Sequence, residues 1–311
     1  MEKLAVIGCG TMGRSIALNA AWANIPVKMY GMDIADIERG KSGILSNLNT
    51  MFENGLINQN EVRKINERII TTSSIDETAN ESSFIIEAIP ENINMKMDMF
   101  RHLDKISDKN VILASNTSGL SPTILASVAE NPGRILVTHF WNPAHLIPLV
   151  EVVRGKETNN DTVRRTLELL KIMKKKPIEL KKEIPGFVAN RLQFALFREA
   201  QYLLEEGIAS KEDIDAAVIY SIGRRLCVTG PLVSADMGGL DVFAAISDYL
   251  FESLSKEESS FPTLEKLVKD NKLGSKTSEG YYKWDHSFSE EMNNRREKEL
   301  IRFLKQDFCI D

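Results

Sequence analysis

Short apolar runs and amphipathic stretches alternate along the first 180 residues. Leu4-Ala5-Val6-Ile7 reads as a buried strand, and the stretch from Ser15 to Trp22 is rich in helix formers. Val27-Lys28-Met29-Tyr30 reads as a second strand. Ile37, Ile44, Leu45, Leu48 and Phe52 recur near a 3.6 period, which predicts a helix over 35–52, with a shorter one over 60–67. Further strands are expected at 68–72, 83–89, 111–114, 134–138, 149–153 and 178–180. Amphipathic helices over 94–106 and 160–175 fall between them, and Ser121-Pro122 opens another with an N-cap and a first-turn proline. A continuous apolar run such as Phe84-Ile85-Ile86 suits a sheet covered on both faces. This alternation predicts an α/β fold with a doubly wound, mostly parallel sheet.

The pattern changes after Pro185-Gly186. Strand signals almost stop, and helices are expected at 187–206, 211–221, 239–253 and 262–270. The chain therefore divides into an α/β domain over 1–184 and an all-α domain over 185–311. A charged amphipathic tail (Met292, Leu300, Ile301, Phe303 and Leu304) is expected to pack on the body or on a partner subunit.

Composition narrows the class. Of 311 residues, 43% are hydrophobic and 27% charged, an ordinary soluble balance. A net charge of −5 without a basic stripe argues against nucleic acid. Cys9, Cys227 and Cys309 have neither pairing nor metal spacing, which points to a reducing compartment. The first strand leaves no room for a signal peptide, and no apolar run reaches membrane-span length, so a cytoplasmic location is expected.

The candidate chemistry starts directly after the first strand. Gly8-Cys9-Gly10-Thr11-Met12-Gly13 between a strand and a helix is the dinucleotide fingerprint. Gly8 allows the tight turn, Gly10 lets the backbone approach a pyrophosphate, and Gly13 lets helix and strand pack closely. The helix N-terminus offers free N–H groups to phosphate. Three polar stretches then fall at strand ends, where an open α/β sheet binds ligand: Glu87 to Asn92, Ser115 to Gly119, and His139 to Pro143. Capping of loops is the plain alternative for each alone. Of the four histidines, His139 stands out. Asn142-Pro143 and Pro148 suggest a turn that returns Glu151 beside it. A carboxylate on one ring nitrogen fixes the tautomer and leaves the other nitrogen to take a hydroxyl proton as hydride leaves for a nicotinamide. No second His or Cys stands at ligand spacing, which argues against a metal.

These residues, with Lys96, Asn190-Arg191 and the stretch Lys276 to Tyr282, resemble the L-3-hydroxyacyl-CoA dehydrogenase family over nearly the whole length. The resemblance implies a Rossmann-type domain followed by a helical domain that forms most of a homodimer interface. It implies NAD on the glycine turn, with Glu91, Lys96, Asn116, Asn142 and Lys276 near it. It implies His139 as acid/base oriented by Glu151, with Ser118 and Asn190 on the substrate oxygens, and a short-chain L-3-hydroxyacyl-CoA as substrate.

Two departures stand against the family pattern. Gly31 occupies the place of the carboxylate that takes the adenosine ribose, and Asp33 follows two residues later as its shifted replacement. The gap also removes a repulsion against a 2′-phosphate, which leaves NADP open, but no Lys or Arg follows immediately and NAD is favoured. Second, Ser46 to Asn54 lacks the Lys with which thioester-using members hold CoA phosphates. The stretch Asn142 to Leu149 looks more like relatives that oxidise free hydroxy acids, such as gulonate, carnitine and hydroxymethyl-pyridine carboxylate dehydrogenases. A non-catalytic dinucleotide-binding protein is the rival from another class; His139, Glu151, Ser118 and Asn190 together count against it.

Overall fold

A computed structural model describes residues 2–309. Eight strands form one sheet in the order β3-β2-β1-β4-β5-β6-β7-β8. They are β1 (Leu4–Ile7), β2 (Val27–Tyr30), β3 (Ile69–Thr72), β4 (Phe84–Glu87), β5 (Ile112–Ser115), β6 (Ile135–Phe140), β7 (Leu149–Arg154) and β8 (Lys176–Leu180). The pairs from β3 to β6 are parallel, β7 runs antiparallel to β6, and β8 is parallel to β7. Strand order reverses between β1 and β4, so the glycine turn after β1 sits at the switch point of the sheet.

Alternation along the strands builds two cores. Leu4, Val6, Phe84, Ile86 and Leu136 face one layer with residues of α1 (Thr11–Trp22), α2 (Ile34–Glu53) and α3 (Gln59–Glu67). Ala5, Ile7, Ile85, Leu113 and Val137 face the other, where Phe100 and Leu103 of the helix Ile93–Ile106 cover them. Burial on both faces is why these strands read as unbroken apolar runs. Local signals hold the ends. Asn58 and Glu61 form a reciprocal capping box on α3, and Ser121 caps the helix Pro122–Ala126 as its sequence predicts.

The chain separates into two units, residues 1–190 with 294–311, and 191–293. By packing, the division falls a few residues beyond 184. Residues 185–190 stay with the sheet because Phe187 is buried in its second core. The tail also returns to the first unit. Ile301 and Leu304 are buried in the first core, and Phe308 meets Trp22 edge-on at 5.7 Å between ring centroids. The helix expected at 211–221 continues through a π-helical stretch, Val218–Ile222, to Leu226. The helices Ile75–Ala79 and Pro231–Gly238 were not legible in the apolar pattern. No helix among the described residues is long and apolar enough to cross a membrane.

Candidate active site

β6 and β7 carry the central pair. Antiparallel register sets His139 directly opposite Glu151, and His139 Nδ1 lies 2.8 Å from Glu151 Oε2. The turn between the strands contains a cis Asn142–Pro143 bond. Lys175, entering β8, staples that turn by donating to Ala144 O at 2.5 Å and Ile147 O at 3.0 Å. Burial pushes its ammonium down to about 7.

Glu151 is fully buried and nearly every acceptor site on it is used. Oε1 accepts the Val188 and Ala189 N–H groups at 2.8 and 3.0 Å, and the Trp141 indole donates to Oε2 at 3.4 Å. Burial alone would raise its carboxyl; the His139 hydrogen bond, then those from Ala189, Val188 and Trp141, reverse this and hold it below the ordinary value. It is therefore ionised at neutral pH. The His139 ring is packed at 5.5 Å from Trp141 and 5.6 Å from Phe187, leaving 7% of the residue exposed. Phe187 has a left-handed backbone (φ 53°), uncommon for a bulky residue, and this turn aims the next two N–H groups at Glu151. Trp141 and Phe187 had no role assigned from sequence. Phe187 follows the Pro185-Gly186 punctuation, and Trp141 lies within the His139–Pro143 stretch; those were their local signals.

The ends of β4 and β5 are tied into one network. Glu87, fully buried and beside Ser115 in register, accepts Lys96 Nζ at 2.6 Å, Ile89 N at 2.7 Å and Ser115 Oγ at 2.5 Å. Burial pushes its carboxyl up, against the pull of the Lys96 ammonium. Lys96 also donates to Ile89 O at 3.2 Å and lies 3.4 Å from Glu91 Oε2. Glu91 Oε1 accepts from Thr117 Oγ1, Ser118 N and Ser118 Oγ. Asn190 Nδ2 donates to Ser118 O at 3.2 Å, and Asn116 Oδ1 accepts the Phe140 N–H at 3.0 Å. The structure thus brings Glu91, Lys96, Asn116, Ser118 and Asn190 together on the sheet edge that also carries His139. Lys96 meets three acceptors inside the protein, so it orients Glu91. Glu87 is the hub the sequence left without a role; an acid ending an apolar strand was its signal. Lys276 lies in the second unit, where it lines a cavity of about 670 Å³ with Leu204, Leu267, Tyr281 and Trp284.

The glycine turn fits a dinucleotide. Gly8 has φ +122°, and a Cβ there would stand 2.7 Å from Ala88 O. A Cβ on Gly13 would strike the Gly8 carbonyl, whereas the space over Gly10 is open, as a phosphate approach requires. Thr11 and Met12 begin α1, so their N–H groups belong to its first turn. No cluster of His, Cys, Asp or Glu among the described residues could hold a metal.

Comparison with known proteins identifies the family. Residues 3–184 match the 3-hydroxyacyl-CoA dehydrogenase NAD-binding domain, and residues 186–284 match that family's C-terminal domain. The chain is 33% identical over 301 residues, 97% of its length and 96% of the other's, to 5-formyl-3-hydroxy-2-methylpyridine 4-carboxylate 5-dehydrogenase of Mesorhizobium japonicum. It is 35% identical over 290 residues, 93% of its length and 99% of the other's, to a probable 3-hydroxybutyryl-CoA dehydrogenase of Bacillus subtilis. Among solved structures, a 5-formyl-3-hydroxy-2-methylpyridine 4-carboxylic acid 5-dehydrogenase, described as an NAD+-dependent dismutase, superposes with a TM-score of 0.91 at 31% identity over 99% of this chain and 98% of that one. The (S)-3-hydroxybutyryl-CoA dehydrogenase from Ralstonia eutropha gives 0.76 at 32% identity over 92% and 99%. The chain belongs to the 3-hydroxyacyl-CoA dehydrogenase family and is an NAD-dependent oxidoreductase acting on CH–OH groups.

Proposed function

We propose that this enzyme interconverts a hydroxyl group and its carbonyl with His139 as the acid/base and Glu151 as its orienting partner. The observation that carries this is the 2.8 Å contact between His139 Nδ1 and a carboxylate that is itself fixed by two backbone N–H groups. Glu151 holds the proton on Nδ1, which leaves Nε2 as the base for the substrate hydroxyl. The charge that develops on the imidazole is compensated by Glu151 at no cost in reorganisation. NAD, when bound, supplies the hydride acceptor. Ser118 and Asn190 position the substrate oxygens, and Glu91, held by Lys96, serves the cofactor side with Asn116 and Asn142.

For the substrate, the family pattern supports a short-chain L-3-hydroxyacyl-CoA, and the degree of likeness to the pyridine carboxylate relative, a TM-score of 0.91 against 0.76 for the 3-hydroxybutyryl-CoA dehydrogenase, favours a free small hydroxy acid instead. The family's C-terminal match ends at 284, and the relative named for a pyridine carboxylate spans 97% of this chain against 93% for one named for a CoA thioester. The segment beyond that end packs on the first unit. The Ser46–Asn54 stretch itself carries no Lys for CoA phosphates. NADH oxidation with acetoacetyl-CoA, and with a panel of free 3-oxo acids and formyl-pyridine carboxylates, separates the readings. Turnover of free acids alone is expected; turnover of acetoacetyl-CoA alone overturns the free-acid reading.

A homodimer through the second unit completes the proposal. The helices Pro231–Gly238 and Leu240–Ser253 have no buried residue, and Leu232, Met237 and Phe251 are 82%, 75% and 63% exposed. Apolar surface on this scale marks an association face. Light scattering is expected to give twice the chain mass; a monomer at micromolar concentration overturns it.

A further inference from the structure

The corner between β2 and α2 is where this chain departs from its own fingerprint. A dinucleotide fold ordinarily ends its second strand on a carboxylate that hydrogen-bonds the adenosine ribose; here that position is Gly31. The geometry explains the lack of a side chain. A Cβ on Gly31 would lie 2.6 Å from Ile37 Cγ1 and 2.9 Å from Cys9 Sγ. The Cys9 thiol is held in that space by donating to Tyr30 O, at the end of β2, at 3.3 Å.

The two carboxylates that follow are used differently. Asp33 is the N-cap of α2, and its Oδ1 accepts the Asp36 N–H at 2.7 Å. Asp36, one turn on, folds back toward the strand end. Its Oδ2 accepts the Met32 N–H at 3.1 Å, which places a carboxylate beside the residue that follows Gly31. It is close enough to Cys9 that, after burial, its charge is the next cause raising that thiol to about 11. Its Oδ1 is paired with Arg39 at 3.2 Å, and its side chain is 24% exposed, shielded yet reachable. Met32 and Ile34 stand 72% and 77% exposed on the same corner, an apolar surface suited to a planar base.

We propose that Asp36, in place of Asp33, selects NAD over NADP by accepting the ribose 2′-hydroxyl, and that Arg39 is a phosphate-binding group kept occupied by it. A carboxylate accepts a hydroxyl but repels a 2′-phosphate. Removing it frees a guanidinium, which favours a phosphate with paired hydrogen bonds. Asp36 does from the first turn of α2 what a strand-end carboxylate does elsewhere, because the Cys9 thiol and Ile37 exclude a side chain at 31. This role rests on dinucleotide binding by the first unit and is independent of the substrate reading.

Equilibrium binding of NADH and NADPH, read by fluorescence without substrate, tests it. Asp36→Ser is expected to weaken NADH about tenfold or more, the loss of one charge-assisted hydrogen bond. The same variant is expected to tighten NADPH, so that the preference inverts. Adding Arg39→Leu to it is expected to abolish the NADPH gain. Asp33→Asn keeps a competent N-cap and is expected to leave both affinities within about twofold. Melting temperatures separate binding from folding; if Asp36→Ser melts early, Asp36→Asn keeps an acceptor for the Met32 N–H, and the NADH/NADPH ratio is read there. Unchanged NADH binding and ratio in the Asp36 variants, or loss of NADH preference in Asp33→Asn, overturns the proposal.

Discussion

The two units of this chain treat apolar residues in opposite ways. In the first, Ala5, Val6, Ile7, Ile85 and Val137 are completely buried between two layers. In the second, the two helices over 231–253 bury nothing, although they are as apolar as a core. A sheet with helices on both faces completes its core within one chain. A layer of helices with one face uncovered does not, and its stability then depends on what covers it. Chemistry is divided the same way. Every hydrogen bond described around His139 lies within the first unit, where rigid packing holds the pair in register.

The sharpest test acts on the site of the first unit. His139→Gln is expected to lower kcat by about 10³-fold, within the range for a general acid/base, while NADH affinity measured by fluorescence stays near wild type. Glu151→Gln is expected to lower kcat too, with cofactor affinity largely intact. Near wild-type turnover in His139→Gln would sink the mechanism.

Stability in the two units is expected to respond differently. Phe100→Ala empties a fully buried site and is expected to cost about 3–5 kcal/mol in denaturant unfolding, at any protein concentration. Phe251→Ala is expected to cost stability that depends on concentration, because the proposed dimer covers its 63% exposed ring. Equal, concentration-independent losses would erase the contrast.

A smaller effect concerns acid. His145 is 4% exposed, its Nδ1 has no hydrogen-bond partner, and burial, then the charges of Lys175 and Arg14, lowers its pKa from 6.5 to about 4. As pH falls, the unfolded chain therefore takes up the proton first. The His145 contribution is complete above pH 6.5 and is lost as pH falls toward 4. The loss is about 3–4 kcal/mol, because a tenfold difference in proton affinity between the folded and unfolded chains is worth about 1.4 kcal/mol. His145→Gln is expected to flatten stability over that interval; an unchanged acid slope contradicts the assignment. The smallest effect is Asn58→Ala, which removes the α3 capping box and is expected to cost about 1 kcal/mol.

Much of the first unit was legible because its signals are local. A buried strand is a short apolar run, and a capped helix announces its first turn, so most elements fall within a few residues of expectation. The His139–Glu151 pair was legible for a related reason: only twelve positions and two prolines separate its members, and a tight return sets them opposite. Glu87 was not. Its partners Ser115 and Lys96 reach it from the next strand and from a helix nine residues on, and only parallel register puts Ser115 alongside. The return of residues 294–309 to the first core was equally hidden, since an amphipathic tail carries no sign of which surface it will cover.

Sequence alone determined the layered fold, the dinucleotide turn and the pairing of His139 with Glu151, because each rests on periodicity, glycine geometry or close spacing. Tertiary structure alone decided which carboxylates do what. It made Asp33 a helix cap, turned Asp36 toward the strand end, closed position 31 with a thiol and buried Glu87 beneath Lys96. A carboxylate's role is set by the donors and charges packed around it, and those come from elements far apart in the chain.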